Sequence, residues 1–136
     1  MKTTTATGLV FRGEGKASQF VEISWVKSQI EERFGFKPYP GTLNVRLSKK
    51  EANRLKPILK KSEGIRIVPA TGFYSATCFH LVIMNKARGV IVIPRTPNYP
   101  PDVLEIIAPV NLRGVLSLKD GDLVELSIML DEDSRG

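Results

Sequence analysis

The feature that most constrains this fold is the punctuation of its apolar runs. Residues 5–11, 43–47, 65–68, 78–84, 89–93, 103–107 and 123–130 are short, apolar or alternating, and most are bounded by glycine or proline. Runs of this length and period read as strands. Phe20, Val21 and Ile23 suggest one more short strand. Because the long strand–helix alternation of a parallel sheet is missing, the pattern predicts an all-β dominated, closed or nearly closed small barrel with short helices.

Two helices are expected. In the first, Ser24 is a candidate cap, Val26, Ile30 and Phe34 form a stripe at four-residue spacing, and Gly35 supplies a left-handed stop. In the second, Ser48 and Glu51 make a capping box, and Pro57 predicts a brief or broken helix. Residues 112–116 read as a helical turn, and Asp120-Gly121 marks a tight turn before the closing strand.

At 136 residues and 42% hydrophobic, the chain fits one globular domain over residues 1–136. No apolar run approaches the ~20 residues that span a bilayer. Met1-Lys2-Thr3-Thr4-Thr5 lacks the apolar stretch of a secretory signal. The single cysteine, Cys78, allows no intrachain disulfide, which favours a reducing cytoplasm, and its apolar neighbours mark it as core filling. The net charge of +6, from 20 basic and 14 acidic residues, attracts polyanions. The central basic residues, from Lys49 to Arg66, read as solvated helix faces. They do not alternate with aromatics as a single-strand binding groove would.

Three segments carry candidate chemistry. In Pro38-Tyr39-Pro40-Gly41-Thr42-Leu43-Asn44-Val45-Arg46-Leu47 a rigid turn feeds a strand. Thr42 and Asn44 then share one face, and Leu43, Val45 and Leu47 the other. A hydroxyl and a carboxamide oxygen suit magnesium, whose shell is usually completed by water and substrate phosphates. The same residues also fit a capped turn with Asn44 facing water. Gly13-Glu14-Gly15-Lys16 can cradle a phosphate with backbone amides, or can be an ordinary hairpin turn; it is neither a Walker A nor a dinucleotide fingerprint. Glu105, between Leu104 and Ile106, can orient a substrate hydroxyl and serve as a general base, or simply face solvent. Asn111 and Arg113 can add polar contacts from a turn. The proline-rich stretch 94–101 is a stiff loop suited to holding one shape against a ligand. A lone His80 and one cysteine argue against zinc.

Taken together, Gly13-Glu14-Gly15-Lys16, Pro38 through Val45, Glu105-Ile106-Ile107-Ala108-Pro109 and Asn111-Leu112-Arg113 closely resemble the archaeal CTP-dependent riboflavin kinases, in the same order and over about residues 5–130. The resemblance implies a compact six-stranded cradle-loop β-barrel. It implies transfer of the terminal phosphoryl group of CTP to the 5′-hydroxyl of riboflavin, giving FMN and CDP. Phe11, Arg12, Gly13, Glu14, Gly15 and Lys16 would wrap the nucleotide, with Val110, Asn111, Leu112 and Arg113 opposite. Thr42 and Asn44 would coordinate magnesium, and Thr96 and Glu105 would bind the flavin. Some members carry an N-terminal winged helix domain; none is expected here. The resemblance gives no location for the flavin ring, for which Tyr39, Phe73, Tyr74 and Tyr99 are candidates. A monomer is expected, since a closed barrel has no free edge. The main rival is a nucleic-acid-binding small barrel without kinase activity, and the second is a sugar- or nucleotide-binding module that has lost catalysis.

Overall fold

A computed structural model describes residues 2–13 and 16–131; of residues 16–18 only the backbone is described. Seven strands and four helices follow in the order β1 (Thr3–Phe11), α1 (Lys16–Val21), α2 (Ser24–Phe34), β2 (Leu43–Arg46), α3 (Lys49–Lys61), β3 (Ile65–Ile67), β4 (Ala76–Ile83), β5 (Ala87–Pro94), β6 (Val103–Ile107), α4 (Leu112–Val115) and β7 (Leu123–Met129). All strand pairings are antiparallel, in the order β3-β4-β5-β6-β2-β1-β7. Pairing of Leu81–Ile83 with Leu126–Ile128 joins β4 to β7. Six strands thus close into a barrel, with β3 added beside the first half of β4. Closure satisfies strand edges that would otherwise invite association.

Alternation along the strands separates two apolar layers. Val10, Val45, Leu81, Ile91, Ile106 and Leu126 point inward and fill the barrel. Ala52, Leu55 and Leu59 of α3 join that interior. On the outer face of β3, β4 and β5, Ile67, Cys78, Val90 and Val92 pack against Val21, Val26 and Ile30 of α1 and α2. Trp25 anchors this second layer edge-on to Phe20 and Phe73.

The predicted strands appear with ends shifted by a residue or two, and β6 matches its predicted bounds. Three local expectations are corrected. Phe20 and Val21 lie in α1, not a strand. Three apolar residues do not reveal a period, and here Val21 is buried by turning toward the sheet. Ser24 is the first residue of α2, not its cap: Ile23 occupies the cap position and makes no side-chain cap bond. Pro57 does not break α3, which runs 13 residues. Pro57 is exposed, so the backbone bond it forfeits lies toward solvent, while Leu55 and Leu59 hold the opposite face. The Ser48 cap holds as expected, its Oγ accepting from Glu51 N at 3.1 Å. So does Gly35, whose φ of 77° ends α2.

Candidate active site

A single cross-strand row builds the centre of the site. Phe11 of β1 sits opposite Asn44 of β2, Asn44 opposite Glu105 of β6, and Glu105 opposite Val92 of β5. Because Val45, Leu104 and Ile106 face the interior, Asn44 and Glu105 project from the outer wall. Glu105 is nonetheless only 3% exposed. The loops around the outer wall cover it.

Three groups converge on the Asn44 amide. With its NH2 toward Glu105 and Thr42, it donates to Glu105 Oε1 at 3.1 Å and Thr42 Oγ1 at 3.0 Å, while its oxygen accepts from Gly13 N at 3.1 Å. With the amide reversed, Thr42 Oγ1 donates to Asn44 Oδ1 at 3.0 Å, and Oδ1 then faces Glu105 Oε1 at 3.1 Å. That orientation sets two acceptors, Oδ1 and Glu105 Oε1, against each other and two donors, the Asn44 NH2 and Gly13 N, against each other, so the first orientation is the one its surroundings satisfy. Thr42 Oγ1 and, with the amide turned, Asn44 Oδ1 are oxygen donors of the kind magnesium accepts, with water and substrate phosphates completing its shell.

The glycine loop reaches this cluster directly. A Cβ on Gly13 would lie 2.7 Å from Asn44 Cγ, so only glycine permits the approach. Arg113 ties the same loop to the far turn, donating from Nη2 to Phe11 O at 3.2 Å and to Asp120 Oδ1 at 2.5 Å. Asn111 caps α4, its Oδ1 accepting from Gly114 N at 3.4 Å. Tyr39 N donates to Ala108 O at 2.8 Å and pins the Pro-Gly turn beside that helix.

Three cavities meet these groups. A small one of about 80 Å³ lies between Tyr39–Thr42 and Val110–Arg113. A polar one of about 320 Å³ is lined by Phe11, Arg12, Gly13, Arg46, Asp102 and Glu105, among others. Arg46 is held there over the Phe11 ring, 4.1 Å from its centroid, and 3.9 Å from Asp102. A third, of about 350 Å³, lies between α3 and the proline-rich loop, with Leu47, Leu55, Leu59 and Phe79 on one side and Arg95, Thr96 and Tyr99 on the other. Tyr99, Pro100 and Val103 line both of the larger cavities. The Tyr99 hydroxyl donates to Glu105 Oε2.

The structure thus brings together Thr42, Asn44, Glu105, Phe11, Arg12 and Gly13. Glu14 and Gly15 lie outside the described residues, and Lys16 opens α1. Thr96 lies in the cavity next to that of Glu105. Val110, Asn111 and Arg113 line the small cavity from the side opposite Thr42. The Leu112 side chain is 4% exposed and packs in the barrel core, which leaves its backbone for any ligand contact. Among the aromatic candidates, Tyr99 lines the two larger cavities and Tyr39 the small one. Phe73 packs on Trp25.

Comparison with known proteins gives the chain its family. A family profile, CTP-dep_RFKase, described as domain of unknown function DUF120, matches residues 10–128. The chain belongs to this family. Proteins called riboflavin kinase are similar to it: one from Methanococcoides burtonii is 41% identical over 133 residues, covering 93% of this chain and 57% of that protein. One from Archaeoglobus fulgidus is 39% identical over 132 residues, covering 94% and 56%. One from Methanothermobacter thermautotrophicus is 32% identical over 121 residues, covering 88% of this chain and 95% of that protein. The chain therefore spans well under two thirds of the first two relatives and nearly all of the third. Among its described residues, no helix is long and apolar enough to cross a membrane.

Sequence reasoning missed three features of the site. The contact of Asn44 with Glu105 depends on register between strands some sixty residues apart, which no local pattern reveals. The approach of Gly13 to Asn44 was hidden for the same reason. Tyr99 was one aromatic among four candidates, and its proximity to Glu105 in sequence was the only signal available.

Proposed function

We propose that this chain is a CTP-dependent riboflavin kinase, transferring the terminal phosphoryl group of CTP to the 5′-hydroxyl of riboflavin to give FMN and CDP. The observation that carries the reading is the Thr42–Asn44–Glu105 cluster against Gly13. It places neutral oxygen donors, a buried carboxylate and a close backbone approach at one point on a rigid wall. Phosphoryl transfer needs this kind of positioning and charge neutralisation more than covalent chemistry. Membership in the family and the names of the relatives point to riboflavin as acceptor. The choice of CTP rests on the family's name and resemblance.

In this reading the nucleotide lies between residues 11–16 and residues 110–113, with its phosphates directed to Thr42 and Asn44. A magnesium ion, held by Thr42 and Asn44, would neutralise phosphate charge. The flavin ring enters the larger apolar cavity beside α3, whose size suits a small-molecule ligand. Its ribityl chain leads past Tyr99 into the polar cavity, where Glu105 orients the terminal hydroxyl. The hydroxyl oxygen forms the new bond to the terminal phosphorus as the bond to the bridging oxygen of CTP breaks. CDP leaves, and the hydroxyl proton passes to Glu105 late in the transfer. Arg12 and Arg46 add positive charge at the acceptor cavity, where the product phosphate appears.

Incubation with riboflavin, CTP and magnesium, with parallel ATP and GTP reactions and detection of FMN, tests the reading. FMN formed with CTP is expected; no FMN with any nucleotide would sink it. Asn44→Ala is expected to raise the magnesium concentration needed for half-maximal activity several-fold. An unaltered magnesium titration would remove Asn44 from the metal's ligands. Salt-sensitive oligonucleotide binding without nucleotide turnover would instead favour the nucleic-acid-binding barrel.

A further inference from the structure

We infer that Tyr99 is a positioning residue that fixes the Glu105 carboxylate for the reaction and forms the wall between the two larger cavities. Its hydroxyl donates to Glu105 Oε2, and Asn44 meets the other oxygen, Oε1, at 3.1 Å. A carboxylate held at both oxygens cannot rotate about its terminal bond without breaking a contact in a nearly dry setting. Such contacts to a charged group are the strong ones.

The loop is built to deliver this contact. Asn98 holds a left-handed φ of 66°, and Pro97, Pro100 and Pro101 stiffen the segment on both sides of Tyr99. Asparagine adopts this left-handed backbone more readily than other residues with a side chain, so the turn is made at little cost. Asn98 is exposed, so its conformation serves the direction of the chain and not burial of its own side chain. The turn sends Tyr99 back over the barrel wall to β6. Burial, followed by the hydrogen bond to Glu105, raises the ionisation of the Tyr99 hydroxyl far above the ordinary tyrosine range. It therefore stays protonated and acts as a donor.

The role rests on the proposed kinase reading, and it goes further by giving Tyr99, otherwise only one of four candidates for the flavin ring, a part that acts through Glu105. A residue acting through Glu105 should lose its effect once Glu105 no longer acts. Tyr99→Phe keeps the ring and removes the donor, so kcat is expected to fall about 10–100-fold, the worth of one hydrogen bond to a charged group. KM for riboflavin and CTP should change little. In a Glu105→Gln background the same substitution should cost little further, because both changes remove one unit. Tyr99→Leu, which also removes the ring, should additionally raise KM for riboflavin.

Wild-type FMN formation is measured first, so that failure of the kinase reading is seen separately. A crystal structure of Tyr99→Phe supplies a readout independent of activity, with Glu105 expected to leave its present orientation. Unchanged kcat in Tyr99→Phe, full additivity with Glu105→Gln, or an unmoved Glu105 in the crystal would overturn the inference.

Discussion

The outer wall of the barrel is treated in two opposite ways. Over β3, β4 and β5 it is covered by α1 and α2, and most of what lies beneath is apolar: Ile67, Cys78, Val90 and Val92 are each at most 1% exposed. Over β1, β2 and β6 no helix among the described residues lies on the row, and the same wall carries Phe11, Asn44 and Glu105. The border runs between directly paired residues, Val92 and Glu105. Both are almost wholly buried, yet one is covered by hydrocarbon and the other by hydrogen-bonding groups. A rigid strand ladder fixes positions equally well on both sides. What covers it decides whether a position stabilises the fold or carries chemistry.

Changing one residue on each side of the border tests that contrast. Glu105→Gln keeps shape and most hydrogen bonding, so it should leave the melting temperature nearly unchanged. Steady-state kinetics should show kcat reduced by about 10²–10⁴, the usual contribution of a positioned acid–base group, with CTP affinity little altered. Turnover equal to wild type would remove its role as base, though not its role in flavin binding. Ile30→Ala, on the helix-covered side, should do the reverse. Ile30 is fully buried, so its truncation should cost about 2–5 kcal/mol in denaturant unfolding while kcat of the folded fraction is preserved. If both variants lost stability and activity together, the division of labour would be wrong.

A smaller effect is expected from Gly13→Ala, which acts on the cover instead of the wall. The added Cβ would meet Asn44 Cγ at 2.7 Å and push the loop from the strand. Misplacement of this kind is expected to lower kcat/KM about tenfold, below the ~100-fold that a shift of a full ångström can cause. Thermal stability should hardly move, since Arg12 and Gly13 belong to neither apolar layer. A large fall in stability would show that the loop is part of the core after all.

The same contrast explains what could be read from the sequence. The barrel was legible because closure depends on many short alternating strands, and each announces itself locally, as residues 103–107 did completely. The site face of β2 was legible too, because Thr42 and Asn44 follow a rigid turn and alternate with Leu43 and Val45. The 13-residue span of α3 was not, since the tertiary burial of Leu55 and Leu59 overrode the local penalty of Pro57. The strand misread at Phe20 and Val21 failed for want of a period. Everything that depended on which strands lie side by side, including Asn44 with Glu105 and Tyr99 above them, waited for the fold.

The smallest effects come from the two titratable groups under the helices, and they act at opposite ends of the pH scale. Burial pushes the Cys78 thiol from its ordinary 9.0 up to about 12, against a weaker opposing effect of Arg33. The unfolded chain then loses this proton first as pH rises. The contribution of the neutral buried thiol is complete below pH 9.0 and is lost progressively toward about 12. His80, edge-on to Phe34 at 5.0 Å, is shifted the other way: burial, then repulsion from Arg88, holds it below its ordinary 6.5. Its contribution is complete above 6.5 and declines as pH falls through the depressed folded value. Denaturant unfolding of wild type and Cys78→Ala should therefore give stabilities that draw together from pH 9 to 11. Wild type and His80→Gln should do so from pH 7 to 5. Glu105→Gln keeps both groups and should follow the wild-type curve through each window. Parallel Cys78→Ala and wild-type curves at high pH would mean that water reaches the layer beneath α2, and that the sealed half of the wall is no drier than the half that carries Glu105.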